Sequence, residues 1–180
     1  MNSPHLSPLR VDPLPLRAAL DRCADLADLR ETRQYLAVRQ AVAPCDPLQV
    51  YARSEAPDRC FWARPSQDFA LAATGCVDIP TADGSDAGRF TTNSLVAQRL
   101  FASMSVVGEE GAPEQAGPLL LAGFAFSGRH AAQGEWRGFP GARLVLPRKL
   151  VVRLGKRAFL TCIQPIVPAC DRDALCNLLQ

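Results

Sequence analysis

Hydrophobic positions along the chain fall into two periods, and the switches between them lay out the elements. From Leu14 to about Arg33, Leu16, Leu20, Cys23 and Ala27 recur at helical spacing, joined by Leu26 and Leu29. Asp21, Asp25 and Asp28 lie mostly on the other side, so an amphipathic helix of about four turns is expected. From Tyr35 to Ala43 the period drops to two. Leu36, Val38 and Val42 share one face and Arg39 takes the other, the pattern of a strand. Asp46 followed by Pro47 is a helix-start signal for a short helix through Arg53. The runs 59–64 and 68–74 flank Pro65-Ser66-Gln67 and predict an antiparallel hairpin, extended past Gly75 toward Asp78.

Further along, a polar Asp- and Gly-rich loop fills 79–89. From Thr91 or Thr92, Val96, Leu100, Met104 and Val107 follow helical spacing, so a second helix is expected to run to a stop at Gly108. Pro118 to Phe126 is apolar on both faces, which predicts a central strand covered on both sides. After a loop over 127–141, a strand is expected at 142–147. A hairpin then follows, with strands at 149–154 and 157–163 around the Gly155-Lys156 turn. Asp171 caps a last helix that carries Leu175, Leu178 and Leu179 with nothing after it to bury them, so the chain reads as cut inside an element. Residues 1–13 are expected to be a disordered leader and 14–180 one truncated domain. The fold class is α+β: an antiparallel sheet of about seven strands with helices on one face.

Composition narrows the function classes. With 180 residues and 48% hydrophobic content, one domain with an ordinary core is possible. A net charge of +2, from 20 basic and 18 acidic residues, excludes both a polyelectrolyte and a strongly basic nucleic-acid binder. No apolar run approaches the roughly 18–20 residues of a membrane span. The first 20 residues have no signal-peptide pattern, so a cytoplasmic location with reduced cysteines is expected. Cys23, Cys45, Cys60, Cys76, Cys162, Cys170 and Cys176 form no C-x-x-C pair, and His5 and His130 are far apart, so no zinc site is expected.

Four constellations were weighed for chemistry, and each reads as ordinary surface. Ser127 follows an apolar strand with His130 three residues on, but Ala125 stands where a nucleophile elbow needs glycine. Asp78, Asp83, Ser85 and Asp86 lack the alternating ligand order of a calcium loop. Glu109-Glu110 sit on a turn between Gly108 and Gly111, the setting of a solvated loop. Arg143, Arg148, Lys149, Arg153, Lys156 and Arg157 are the one basic concentration, able to draw an anion but better read as a wet strand face with guarded edges. The catalytic, cofactor-binding and metal sets are therefore all expected to be empty.

Three stretches carry a resemblance. Arg59-Cys60-Phe61-Trp62-Ala63-Arg64-Pro65-Ser66-Gln67-Asp68-Phe69-Ala70-Leu71-Ala72 resembles the "F-W-x-x-P-x-x-D-x-A-L-A" hairpin of isochorismate synthases. Leu119-Leu120-Leu121-Ala122-Gly123-Phe124-Ala125-Phe126 is similar to their "G-G-F-A-F" strand. Trp136-Arg137-Gly138-Phe139-Pro140-Gly141-Ala142-Arg143-Leu144-Val145-Leu146-Pro147-Arg148 is similar to the "W-x-G-F-P-x-A-R-L-x-L-P-R" segment after it. Asp46-Pro47-Leu48 is also in the family's usual place, and order and spacing match over roughly 33–165. The resemblance implies half of a two-sheet chorismate-binding fold, shared with salicylate, anthranilate and aminodeoxychorismate synthases. It implies conversion of chorismate to isochorismate with Mg²⁺, leading to menaquinone or catechol siderophores. In the family, the Lys base, the Glu acid and the Glu metal ligands lie in the C-terminal chorismate-binding half, after a "K-V-V-L-A-R"-like strand. This sequence has no such strand, and neither Lys149 nor Glu109, Glu110, Glu114 or Glu135 matches those motifs. The resemblance thus implies an N-terminal portion whose partner is the missing half, with no magnesium held by this chain and no turnover of its own. A free-standing binding protein is the other reading.

Overall fold

The computed structural model describes residues 12–79, 88–126 and 141–179. Four helices and seven strands are present among them: α1 (Pro13–Arg30), β1 (Gln34–Val42), α2 (Pro47–Arg53), β2 (Arg59–Arg64), β3 (Phe69–Asp78), α3 (Arg89–Ala102), β4 (Met104–Gly108), β5 (Leu121–Phe124), β6 (Ala142–Leu154), β7 (Arg157–Ile166) and α4 (Arg172–Leu178). The strands join in the order β2-β3-β6-β7-β1-β4, with β5 paired to the first residues of β6. The α+β class read from the sequence stands.

Local chemistry sets the helix starts. Asp12 and Asp46 accept from the amides of Leu14 and Leu48, each ahead of a proline at the first helical position. Asp171 caps α4 through the amides of Asp173 and Ala174. The apolar stripe of α1 (Leu16, Leu20, Cys23, Ala27) packs on Leu36 and Val38 of β1 and Ile166 of β7. Leu175, Cys176 and Leu179 join that cluster, so α4 is covered by α1 through these residues while Leu178 stays exposed. On the same sheet face, Tyr51 of α2 meets Phe61 of β2 with ring centroids 6.3 Å apart.

The opposite face is closed by α3 and by the segment after β4. Leu100 packs with Tyr35, Ala37, Leu146 and Ile163. Leu119 and Leu121 lie on Leu71, Ala73, Leu150 and Val152. α3 is thus on the face away from α1 and α2, so the helices cover both faces rather than the one expected, because Tyr35 and Ala37 alternate with Leu36 and Val38 along β1.

Three expectations change at the level of elements. The second helix stops at Ala102, and Met104 to Gly108 form β4, parallel to β1 with Tyr35 opposite Met104 and Arg39 opposite Gly108. Helical spacing continues through Met104 and Val107, but Ser105, Val106 and Val107 gain a ladder on the free edge of β1, so tertiary pairing overrides the local period. The run Pro118–Phe126 is not a central strand. Only Leu121–Phe124 pairs, and only with β6, while Leu119, Leu120 and Leu121 pack down as a cover on the sheet. Finally, 142–147 and 149–154 are one strand of 13 residues that passes through Pro147. A register shift on β3 between Cys76 and Asp78 accommodates the proline.

Candidate functional site

A concavity among the described residues forms where α3 lies along β5. Its volume is about 430 Å³, and Phe90, Ala97, Phe101, Leu120, Phe124 and Leu144 line it. Phe90 and Phe124 tilt against each other at 4.9 Å between ring centroids. Asn93 is buried at its floor. The lining carries no charge, so it suits an apolar side chain or ring and has no group able to move a proton.

A second cluster sits at the far end of β3. The Tyr35 hydroxyl donates to the Asp78 carboxylate, and Arg33 approaches the same carboxylate at 3.5 Å. Burial, reinforced by the Asp78 carboxylate, pushes the Tyr35 phenol up to about 12. The phenol is thereby held neutral and tied to its partner, which makes it a strut rather than an acid–base group.

The third feature is Arg39. Alternation along β1 reads its side as the polar one, yet the turn at 113–117 lies over it. Its Nη1 donates to the carbonyl of Gly117 at 2.9 Å, and its buried Nε has no hydrogen-bond partner. Beside it, the fully buried Thr161 hydroxyl donates to the carbonyl of Ala116 at 2.9 Å.

Among the described residues, the constellations read from the sequence do not converge. Ser127, His130 and Glu135 lie outside the described residues, as do Asp83, Ser85 and Asp86. Glu109 is structural: its carboxylate accepts from the Ala41 amide at 2.8 Å and faces Arg157 at 3.6 Å. Glu110 and Glu114 are exposed. The basic residues are dispersed to separate partners: Arg143 to Asp58, Arg148 to Gln164, and Arg157 to Glu109 and the ring of Phe159. Burial raises the thiols of Cys23, Cys45, Cys76 and Cys162, which moves them away from the reactive thiolate. No three Cys, His, Asp or Glu side chains gather into a possible metal site among the described residues. Those residues therefore do not fit the magnesium that the resemblance implies for the family. Among the described residues, no helix is long and apolar enough to cross a membrane.

Missed from the sequence were the Tyr35–Asp78 pair and the roofed Arg39. The first links residues 43 positions apart and leaves no local trace. The second had a signal, an arginine on a strand face whose other positions, Tyr35, Ala37 and Ala41, carry no charge.

Among the described residues the sheet is mixed and closed by its own cover, and no three Cys, His, Asp or Glu side chains converge. Residues 18–180 match the chorismate binding enzyme family, and the chain belongs to it. Over 162 residues it is 29% identical to the salicylate biosynthesis isochorismate synthase of Pseudomonas aeruginosa, covering 89% of this chain and 32% of that protein. Among solved structures, it is similar to the menaquinone-specific isochorismate synthase of Escherichia coli. That match covers 94% of this chain and 34% of the other, with 16% identity and a TM-score of 0.48. The chain spans about a third of the length of these relatives.

Proposed function

We propose that this chain is the N-terminal structural portion of an isochorismate synthase-like enzyme, acting in menaquinone or siderophore biosynthesis in the cytoplasm. Its task is to supply one sheet with its covering helices and to hold a C-terminal chorismate-binding half in shape. That half is its partner, takes chorismate and carries the base, the acid and the Mg²⁺ ligands. The observation that carries the reading is the match to an isochorismate synthase over 89% of this chain but 32% of the relative. The dispersed carboxylates and raised thiols support a chain that does not turn over chorismate by itself.

The test is direct. Purified chain is incubated with chorismate and Mg²⁺, and isochorismate is followed by chromatography. The expected result is no product above the enzyme-free control, because general acid–base catalysis alone is worth about 10²–10⁴-fold and the groups for it are not assembled here. Product from a clean preparation overturns the reading.

One observation favours a second reading, a free-standing binding module. Leu146 and Ile163 are buried with the chain's own Leu100 of α3 and Leu120, and Leu179 by α1. A genomic stop codon directly after Gln180 selects this second reading. A continuing frame with a "K-V-V-L-A-R"-like strand and Glu-bearing motifs selects the first.

A further inference from the structure

The two edges of the sheet are built differently. At one, β2 is flanked by Arg59 and Arg64, with Pro65 next. Arg64 lies over the exposed ring of Trp62, and Arg59 over Tyr51. Charged residues and a proline at the ends of an edge strand oppose pairing with another chain. At the other edge, β4 reads Met104-Ser105-Val106-Val107-Gly108, with no charge and no proline.

The hydrogen-bond phase of β4 follows from its parallel register with β1. The Tyr35 amide donates to the carbonyl of Ser103, and the Glu109 amide donates to the carbonyl of Arg39. Residues 103, 105, 107 and 109 therefore turn their backbone groups inward to β1. Met104, Val106 and Gly108 turn theirs outward, and no strand pairs with that side among the described residues. The edge is held in place rather than frayed: Val107 packs into the α1 cluster, Met104 packs with Tyr35 and Leu100, and Glu109 ties the strand end to Ala41. Val106, at the centre, is 45% exposed.

We infer that β4 pairs antiparallel with β4 of a second copy of this chain, about a twofold axis through Val106. The pattern is self-complementary. Val106 meets Val106 of the other copy, and Met104 meets Gly108, so the outward groups of all three residues are satisfied at once. No like charges meet on the axis, and the glycine leaves room for the methionine. α1 rests chiefly over β1, one strand in from the edge. With strands about 4.8 Å apart, the two α1 helices then stand about 14 Å apart, clear of a clash.

The test is sedimentation velocity from micromolar to millimolar concentration, with amide hydrogen exchange on the same samples. The expected result is a monomer–dimer equilibrium. The amides of Met104, Val106 and Gly108 slow as the dimer forms, while those of Ser105 and Val107 are protected throughout. Val106→Pro removes one outward N–H and leaves the inner ladder intact. Val106→Lys keeps the ladder but sets two charges against each other on the axis. Each is expected to weaken the dimer by about tenfold or more, whereas Arg64→Ala at the guarded edge leaves it unchanged. A monomer over the whole range overturns the inference. So does a dimer that persists in Val106→Lys, or one whose Met104, Val106 and Gly108 amides still exchange fast. If Val106→Pro fails to fold, Val106→Lys decides.

Discussion

Thr161 and Ala116 are both fully buried, and the hydroxyl of the first donates to the carbonyl of the second at 2.9 Å. With the Arg39 bond to the neighbouring carbonyl of Gly117, this fastens the 113–117 turn onto the middle of the sheet. The turn carries Leu119 to Leu121 down onto Leu71, Leu146 and Leu150, so two hydrogen bonds position much of the cover of one face.

Thr161→Val removes the donor while keeping the shape, which leaves the Ala116 carbonyl buried and unpaired. The expected loss is about 1–3 kcal/mol in urea unfolding. Thr161→Ser should recover most of it. Arg39→Met loses a charged hydrogen bond but also removes a buried Nε without a partner, so its cost is expected to be the smaller of the two. The double variant should depart from additivity, because both bonds hold one turn. Equal and additive losses would mean that the turn is held by its leucines alone.

Gly108 supplies a second test. Its φ is +120°, and a Cβ there would lie 1.7 Å from the carbonyl oxygen of Arg39. Gly108→Ala is therefore expected to cost about 2–4 kcal/mol, combining backbone strain with a clash that only movement of β4 relieves. Gly155, at φ +58° with open space around it, gives the control: Gly155→Ala should cost about 1 kcal/mol. Thermal unfolding of the two variants side by side checks the ranking, and equal midpoints would contradict the close approach at Gly108.

What the sequence disclosed and what it concealed divide along one physical line. The caps at Asp46 and Asp171, the 59–64 and 69–78 hairpin and the Gly155-Lys156 turn depend on neighbours in sequence and were legible, whereas the cap at Asp12 fell inside the stretch read as a disordered leader. β4 was hidden because Leu100, Met104 and Val107 keep helical spacing, and only the free edge of β1 turns the last two into a strand. The segment after Pro118 was misread for a related reason. An apolar run that covers a sheet and an apolar run inside one have the same composition, and the difference lies in Thr161 and Arg39, which fasten the cover from 45 and 78 residues away. For the candidate site, local motifs drew no catalytic set from these residues. The groove between α3 and β5 was not legible, since it needs both elements to be placed first.

The Tyr35–Asp78 pair gives a pH dependence with a definite sign. The Tyr35 phenol is raised from its ordinary value near 10 to about 12, first by burial and then by the Asp78 carboxylate. Between those values the folded chain holds a proton that the unfolded chain releases. The stabilisation is fully present below pH 10 and is lost as pH rises toward 12, with a total of roughly 2–3 kcal/mol. Melting midpoints from pH 8 to 12 should fall more steeply for the native chain than for Tyr35→Phe, which lacks the titrating group. Parallel profiles would remove Tyr35 as the source.

The docking of α4 separates charge from burial. Arg172 reaches Asp25 at 2.8 Å and Asp28 at 3.4 Å on α1, and Arg17 of α1 reaches Asp173 at 2.6 Å. These groups are largely exposed, so salt screens them and each contributes little. Leu179, by contrast, is 5% exposed in the α1 cluster. Removing its side chain takes away apolar burial that salt does not weaken, and for a buried leucine that is worth about 2–5 kcal/mol. Leu179→Ala is therefore expected to free α4 at any ionic strength, seen as rapid amide exchange over 172–178 with β1 and β7 still protected. Arg172→Ala should speed the same exchange only at low salt and match the native chain at high salt. If Arg172→Ala instead releases α4 at every salt concentration, the ion pairs and not the leucine hold the helix.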